Sequence, residues 1–258
     1  DDILQDHYLR YFMGTQMSGV MVQPMASPDW HPAMAKMPVP IVHLDIHCSE
    51  PGYYVAADNE AQGRIIAELA IARGARHITV VGRAAFMQLT LRVLGIHKAL
   101  ALHPDIKIEV IDAGEWNTAA RPADERPDFV VGLTDVLASG VISALVDKGI
   151  SVPGQVRVAG CDGNPLAWSG SVPLTTVAPP GYEIGRKGVQ LLMEQIENKA
   201  PAKTKHVHIG SAARTVTAVT AAEDINRQEL VRPFLLERAS TQASSQTDAT
   251  AINLGAYL

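Results

Sequence analysis

The residues with most chemistry to offer are acids that close apolar runs. Asp45 ends Ile-Val-His-Leu, Asp135 follows Phe-Val-Val-Gly-Leu-Thr, and Asp162 follows Val-Arg-Val-Ala-Gly-Cys. Runs of this kind read as buried strands, and in open parallel sheets ligands settle outside the carboxyl ends of the strands. An aspartate after a strand also has a local use, which is to cap the next helix through a side-chain oxygen. Asp135 stands directly before a helical pattern over Val136–Lys148 and is read as such a cap. Asp45 and Asp162 precede no convincing helix, so both are expected to point into a shared cleft, each carboxylate accepting two hydroxyls. Arg92 adds a forked donor and Trp116 a flat apolar face. Together the four residues suit a polyol, with acceptors and donors at its rim and a ring against its C–H face. Taken singly none is specific: Arg92 also fits an exposed helix, and Trp116 also fits a packing residue.

Signatures of other chemistries are missing. The sequence has no Gly-rich phosphate loop ending in Gly-Lys, no G-x-G-x-x-G after a strand and no G-x-S-x-G elbow. No cofactor is therefore expected, and reversible binding is expected rather than catalysis. The enzymatic alternative pairs Asp45 with His47 as acid and base, and it requires turnover. His206 and His208 share one face of a strand pattern but lack a third ligand nearby, so they read as an edge pair and no metal site is expected. His43 and His47 read as sheet-face residues. Cys48 and Cys161 fit no zinc spacing and are expected to be reduced, buried thiols of a cytoplasmic protein.

These residues need strands to carry them and helices to cover the strands. The apolar and polar periods alternate along the chain: strand patterns at Gly19–Val22, Pro40–Asp45, Tyr53–Ala57, His77–Val81, Lys107–Ile111, Asp128–Gly132, Val156–Cys161 and Leu174–Val177. Helical patterns lie over Asp2–Gly14, Asn59–Arg73, the stretch through Leu89 to Leu100, Val136–Lys148 and Tyr182–Asn198. Such alternation requires right-handed crossovers over parallel sheets, with helices on both faces. At 258 residues, two lobes of this kind fit the length. A content of 47% hydrophobic and only 5% aromatic residues fits aliphatic α/β cores and argues against a β-sandwich. No apolar run approaches the roughly 20 residues of a membrane span. A net charge of −5 without a Lys/Arg-rich run gives the chain no footprint for a phosphate backbone. The sequence starts at Asp1-Asp2, with neither a basic nor an apolar leader pattern, so its natural start is expected upstream. Thr241–Thr250 is polar and without a core-forming period, and reads as a frayed tail.

Several segments, in this order, resemble the effector-binding core of LacI/GalR-family transcriptional repressors. Ser18–Pro24 resembles the strand leaving the family's second core helix, and Pro38–Asp45 its "vPvV.iD" motif. Asp58-Asn59, Gly63 and Gly74-Ala-Arg-His-Ile resemble "DN..G...A...L...GH..I", and Arg92-Val-Leu-Gly95 resembles "R..Gf". Gly149–Asp162 and Pro173–Val177 are the most specific matches, and Phe234–Thr241 resembles "L..R.ST". The resemblance spans roughly Ser18–Gln195 plus the closing piece. It implies two doubly wound parallel-sheet lobes of the type I periplasmic-binding-protein kind, with the N-terminal lobe incomplete.

On this pattern the N-terminal lobe comprises 1–57 with 180–204, the C-terminal lobe 58–179 with 205–241, and a tail follows at 242–258. The first strand, first helix and second strand of the core, and a DNA-binding helix-turn-helix, would precede Asp1. The resemblance further implies a cytoplasmic homodimer whose hold on operator DNA changes when a small sugar or nucleoside binds. Asp45, Arg92, Trp116 and Asp162 stand where family members contact effector. Thr134 stands where the family has Asn, and Ala57 where some members have an aromatic, which suggests more room. An extra segment at 210–230, with Thr215–Val219 as an added strand, has no counterpart in the pattern. A periplasmic sugar-binding protein of the same fold is the alternative.

Overall fold

The computed structural model describes residues 7, 8, 10–12, 14, 15, 17–23, 39–46, 52–83, 86–116, 125–199 and 226–242. The chain forms two compact units, Asp1–Ala56 with Glu183–Leu230 and Ala57–Tyr182 with Val231–Leu258.

The first unit is built on a sheet of β1 (Val20–Val22), β2 (Ile41–Leu44), β3 (Gly52–Ala57) and β9 (Asn226–Val231), in that order. Strands β1, β2 and β3 run parallel, with Val20 opposite Ile41 and Val42 opposite Tyr53. Val20, Ile46 and Tyr54 are buried together, with Phe12, Val22, Val39 and Ile41 packed around them. His43 is buried and stacks on Tyr54 at 4.9 Å between ring centroids, as expected for a sheet-face histidine. The long helix Gly181–Lys199 is tied to β9 by Lys187–Glu229 at 3.2 Å and Arg227–Glu194 at 3.0 Å.

The place of β9 corrects the boundaries read from the sequence. That reading assigns residues 205–241 to the second lobe, whereas 226–230 belong to the first unit because their backbone pairs beside β3. The described part of the extra segment holds a strand at Asn226–Val231. Thr215–Val219, like His47, Cys48, His206, His208 and the tail beyond Gln242, falls outside the described residues.

In the second unit the order is β5 (Lys107–Ile111), β4 (His77–Val81), β6 (Phe129–Gly132), β7 (Arg157–Cys161), β8 (Thr175–Ala178) and β10 (Phe234–Leu236). All neighbours are parallel except β10, which returns antiparallel to β8. The strands β6 and β8 are buried on both faces, so helices must cover both sides. Helices α1 (Asn59–Ala72) and α2 (Met87–Leu100) bury Ile66, Ala70, Ile96 and Leu100 against Ile78, Val80, Phe129 and Val131 on one side. Helix α3 (Asp135–Asp147) buries Val141, Ile142 and Leu145 against Val130 and Val158 on the other.

Local chemistry sets the helix ends. Asp58 caps α1, its Oδ1 accepting from the Ala61 amide at 2.8 Å, and Gly74 with φ +74° stops it. The chain leaves β4 to one side for β5 and then returns to the other side for β6. By the general rule for open parallel sheets, such a reversal marks the carboxyl ends of β4 and β6 as the place where ligands settle.

Candidate ligand-binding site

Five of the six residues read from the sequence as effector contacts belong to the second unit: Ala57, Arg92, Trp116, Thr134 and Asp162. Asp45 belongs to the first.

Arg92 is the hub. It lies on α2, which crosses α1 without side chains between the backbones. A Cβ added to Gly63 would fall 1.9 Å from the Arg92 carbonyl oxygen, and one added to Gly95 would fall 2.0 Å from that of Glu60. Only glycine fits at either position, and the close crossing carries the Arg92 side chain into the interior, where the residue is 8% exposed. Its Nε donates to Asn59 Oδ1 at 2.9 Å, and one terminal nitrogen donates to the Leu133 carbonyl at 2.6 Å. The same nitrogen lies 2.8 Å from Asp162 Oδ1. The exposed-helix reading of Arg92 is thereby excluded.

Asp162 follows β7 and has φ +112°, which L-residues rarely adopt. Its side chain is 36% exposed, so the ion pair has a buried arginine end and a solvent-facing carboxylate end. An arginine fixed by two acceptors beside a half-open carboxylate can present donors and acceptors to a hydroxylated ligand without rearranging.

Thr134 takes the N-cap role that the sequence reading gives to Asp135. Thr134 is the N-cap of α3, its hydroxyl accepting from the Leu137 amide at 3.3 Å. Asp135 begins the helix and is fully buried. Its Oδ1 accepts from the Thr176 hydroxyl at 2.6 Å, and its Oδ2 from the Asn164 amide at 2.7 Å. Burial pushes its carboxyl up to about 6, against the lowering effect of those two hydrogen bonds. Cys161, next to Asp162, is a buried free thiol pushed up to about 12 by desolvation. A proton-bearing thiol of that kind is inert as a nucleophile.

Trp116 ends the short helical turn Ala113–Glu115 after β5 and packs against the core cluster around Val81, Val130 and Ile142. Its indole nitrogen is buried with no hydrogen-bond partner among the described residues. Ala57, at the end of β3, is buried, and its carbonyl accepts from the Asn59 side-chain amide at 3.2 Å. In the first unit, Asp45 follows β2 with φ +53°, and its Oδ2 lies 3.3 Å from Gln23 Nε2.

Sequence reasoning missed Asn59, which is 1% exposed and holds both Ala57 and Arg92. An asparagine just inside the first turn of a helix, after a buried strand, was the available signal. Among the described residues no cluster of His, Cys, Asp and Glu is arranged to hold a metal ion, and no helix is long and apolar enough to cross a membrane.

A family profile described as a periplasmic binding protein-like domain matches residues 67–217. The chain is 28% identical over 215 residues to the HTH-type transcriptional repressor PurR of Aliivibrio fischeri (strain ATCC 700601 / ES114), an alignment covering 76% of this chain and 62% of the relative. It is 24% identical over 211 residues to the arabinose metabolism transcriptional repressor of Geobacillus stearothermophilus, covering 72% and 57%. The chain thus spans about six-tenths of the length of these curated relatives. Among solved structures, a periplasmic binding protein/LacI transcriptional regulator from Alkaliphilus metalliredigens QYMF, complexed with D-xylulofuranose, superposes with a TM-score of 0.71. That match is 19% identical and covers 94% of this chain and 85% of the other, and it bears out the α/β parallel-sheet fold.

Proposed function

Since the chain belongs to the periplasmic binding protein-like domain family, we propose that it is the effector-binding and dimerisation core of a LacI-type transcriptional regulator. The reading is carried by Arg92, buried and fixed by Asn59 and Leu133, beside the half-open carboxylate of Asp162. Its relatives are repressors, not enzymes, which favours reversible binding over turnover.

The effector is a small, uncharged, hydroxyl-rich molecule, a sugar or a nucleoside. Asp162 accepts from its hydroxyls, Arg92 donates to them, Trp116 offers an apolar face, and Thr134 and Ala57 complete the lining. Anionic ligands are disfavoured by the Asp162 carboxylate. With one relative named for arabinose metabolism and a neighbour complexed with D-xylulofuranose, pentoses come first among the candidates. Effector binding changes the affinity of a cytoplasmic homodimer for operator DNA, and the DNA is held by a helix-turn-helix outside these residues. Two copies are needed because two heads must meet two half-sites at fixed spacing.

A thermal-shift screen of the full-length protein with L-arabinose, D-ribose, D-xylulose and adenosine tests this reading, since a ligand of the native state raises Tm by mass action. The expected result is a concentration-dependent rise with at least one of them, and recovery of that compound unchanged. Conversion to a product, or a flat response to all four, rejects it.

A further inference from the structure

The turn that follows Asp162 is held by a buried carboxylate, that of Asp135. Gly163 follows Asp162 with φ +65°, so two consecutive residues lie in the left-handed region, one of them not glycine. Such a turn persists only where its surroundings over-determine it. The Gly163 amide donates to the Thr176 hydroxyl oxygen at 3.2 Å, and that hydroxyl donates in turn to Asp135 Oδ1 at 2.6 Å. The next amide, Asn164, donates directly to Asp135 Oδ2 at 2.7 Å. Both oxygens of one carboxylate are thus used on one turn. Room for them comes from Gly160 on β7, where an added Cβ would lie 2.4 Å from Asp135 Oδ1.

We propose that Asp135 is a positioning residue: directly and through Thr176, its carboxylate latches the turn 163–164 and so holds Asp162 against Arg92 in the geometry that receives ligand. The inference rests on the effector-binding reading for its consequence, but the latch itself is a property of the unliganded fold. A neutral partner serves it poorly. The Asn164 amide and the Thr176 hydroxyl are both donors, and only the carboxylate form offers each an oxygen that bears no hydrogen. Once protonated, one oxygen becomes a donor and the hydroxyl relay to Gly163 must turn around. The charge is kept in the interior at a cost, since burial and the nearby Asp162 raise the carboxyl to about 6, while Arg238 and the two hydrogen bonds oppose them. Cys161, also close, carries its proton throughout.

The test uses the full chain and two variants, Asp135→Asn and Thr176→Val. Hydrogen exchange of the Gly163 and Asn164 amides, followed by NMR, reads the latch without ligand. At pH 7.5 and at pH 5, loss of one charge-assisted hydrogen bond is expected to cost the two amides about tenfold in protection relative to the native protein. Asp135→Asn is expected to have the lower protection at both pH values. Thr176→Val keeps the side-chain shape and is expected to deprotect Gly163 more than Asn164, which decides the matter if the first variant fails to fold. Calorimetry with L-arabinose and D-ribose then reads the consequence. Affinity is expected to fall about tenfold in Asp135→Asn, and its pH dependence between 5 and 7 to flatten, which a general loss of stability does not produce. Unchanged protection at Gly163 and Asn164 in a folded variant overturns the proposal. If neither sugar binds the native protein, the effector reading is what suffers, and the exchange data still decide the latch.

Discussion

Gly63 lies so tightly under the Arg92 carbonyl that a single added carbon would sit 1.9 Å from the oxygen. The obstruction is backbone, which cannot swing aside as a side chain can. Gly63→Ala is therefore expected to force α1 and α2 apart, costing about 3 kcal/mol, the upper range for overpacking a close interface. Because α2 carries Arg92, the displacement also loosens the contact to Asn59. Urea denaturation measures the stability loss. A variant as stable as the native protein contradicts the close crossing.

Arg92 is the residue whose removal tests the site most directly. Arg92→Ala deletes the partner of Asp162 and is expected to weaken binding of an effector found by the sugar and nucleoside screen by about 1.5 to 3 kcal/mol, the range for hydrogen bonds to charged groups. It also leaves Asn59 Oδ1 and the Leu133 carbonyl without their donor, so a stability loss accompanies the affinity loss. Arg92→Lys separates the two effects: it keeps the charge near Asp162 and loses the fork that serves Asn59 and Leu133 together. Calorimetry alongside thermal unfolding gives both numbers. Unchanged affinity in Arg92→Ala removes the residue from the site.

Legibility differed by the kind of signal. The strand tips could be read because β4, β6 and β7 are short, mainly apolar runs followed or ended by Gly or Asp, and apolar runs of that length have few other uses. Asp162 and Arg92 followed from tip and helix placement. That Thr134 and not Asp135 caps α3 turns on a one-residue shift of a helix start, below the precision of any periodicity. Asn59 escaped because its partner is 33 residues away, and the Leu133 carbonyl because a backbone acceptor leaves no mark in the sequence. Strand β9, Asn-Arg-Gln-Glu-Leu-Val, is too polar to advertise itself, as suits a strand at the end of its sheet.

Asp135 makes stability depend on pH with a definite sign. Its carboxyl rises from 3.8 to about 6 on folding, chiefly by desolvation. The folded state binds that proton more tightly than the unfolded chain, so the contribution is fully present below pH 4 and is lost as pH rises through about 6. The shift corresponds to about 3 kcal/mol. Exposed acids such as Asp112, held low by Arg83, act in the opposite sense, so the quantity to follow is the difference between native protein and Asp135→Asn. That difference, from urea denaturation at pH 4 to 7, is expected to move by about 3 kcal/mol in favour of the variant as pH increases. A difference that is flat or of opposite slope contradicts a buried, proton-binding Asp135.

Ser240 closes the second unit from its far end. Its hydroxyl donates to the Val158 carbonyl at 2.6 Å and accepts from the Thr175 amide at 2.8 Å, bridging β7 and β8 where the last segment passes. The neighbouring Thr241 hydroxyl lies 2.7 Å from that of Thr175, and Arg238 donates to the Leu174 carbonyl at 2.7 Å. All of Ser240 is buried, so Ser240→Ala strands one backbone donor and one acceptor out of reach of water. The expected loss is about 2 to 3 kcal/mol, at the upper end for unsatisfied buried groups, because two groups are orphaned together. Ser240→Thr retains the hydroxyl but adds a methyl group in a closed space, and is expected to recover only part of it. Neither change touches Arg92 or Asp162, so effector affinity measured well below the unfolding transition is expected to stay within about twofold of native. A large affinity change in Ser240→Ala with little loss of stability would mean that the closing segment takes part in binding rather than in holding β7 and β8 together.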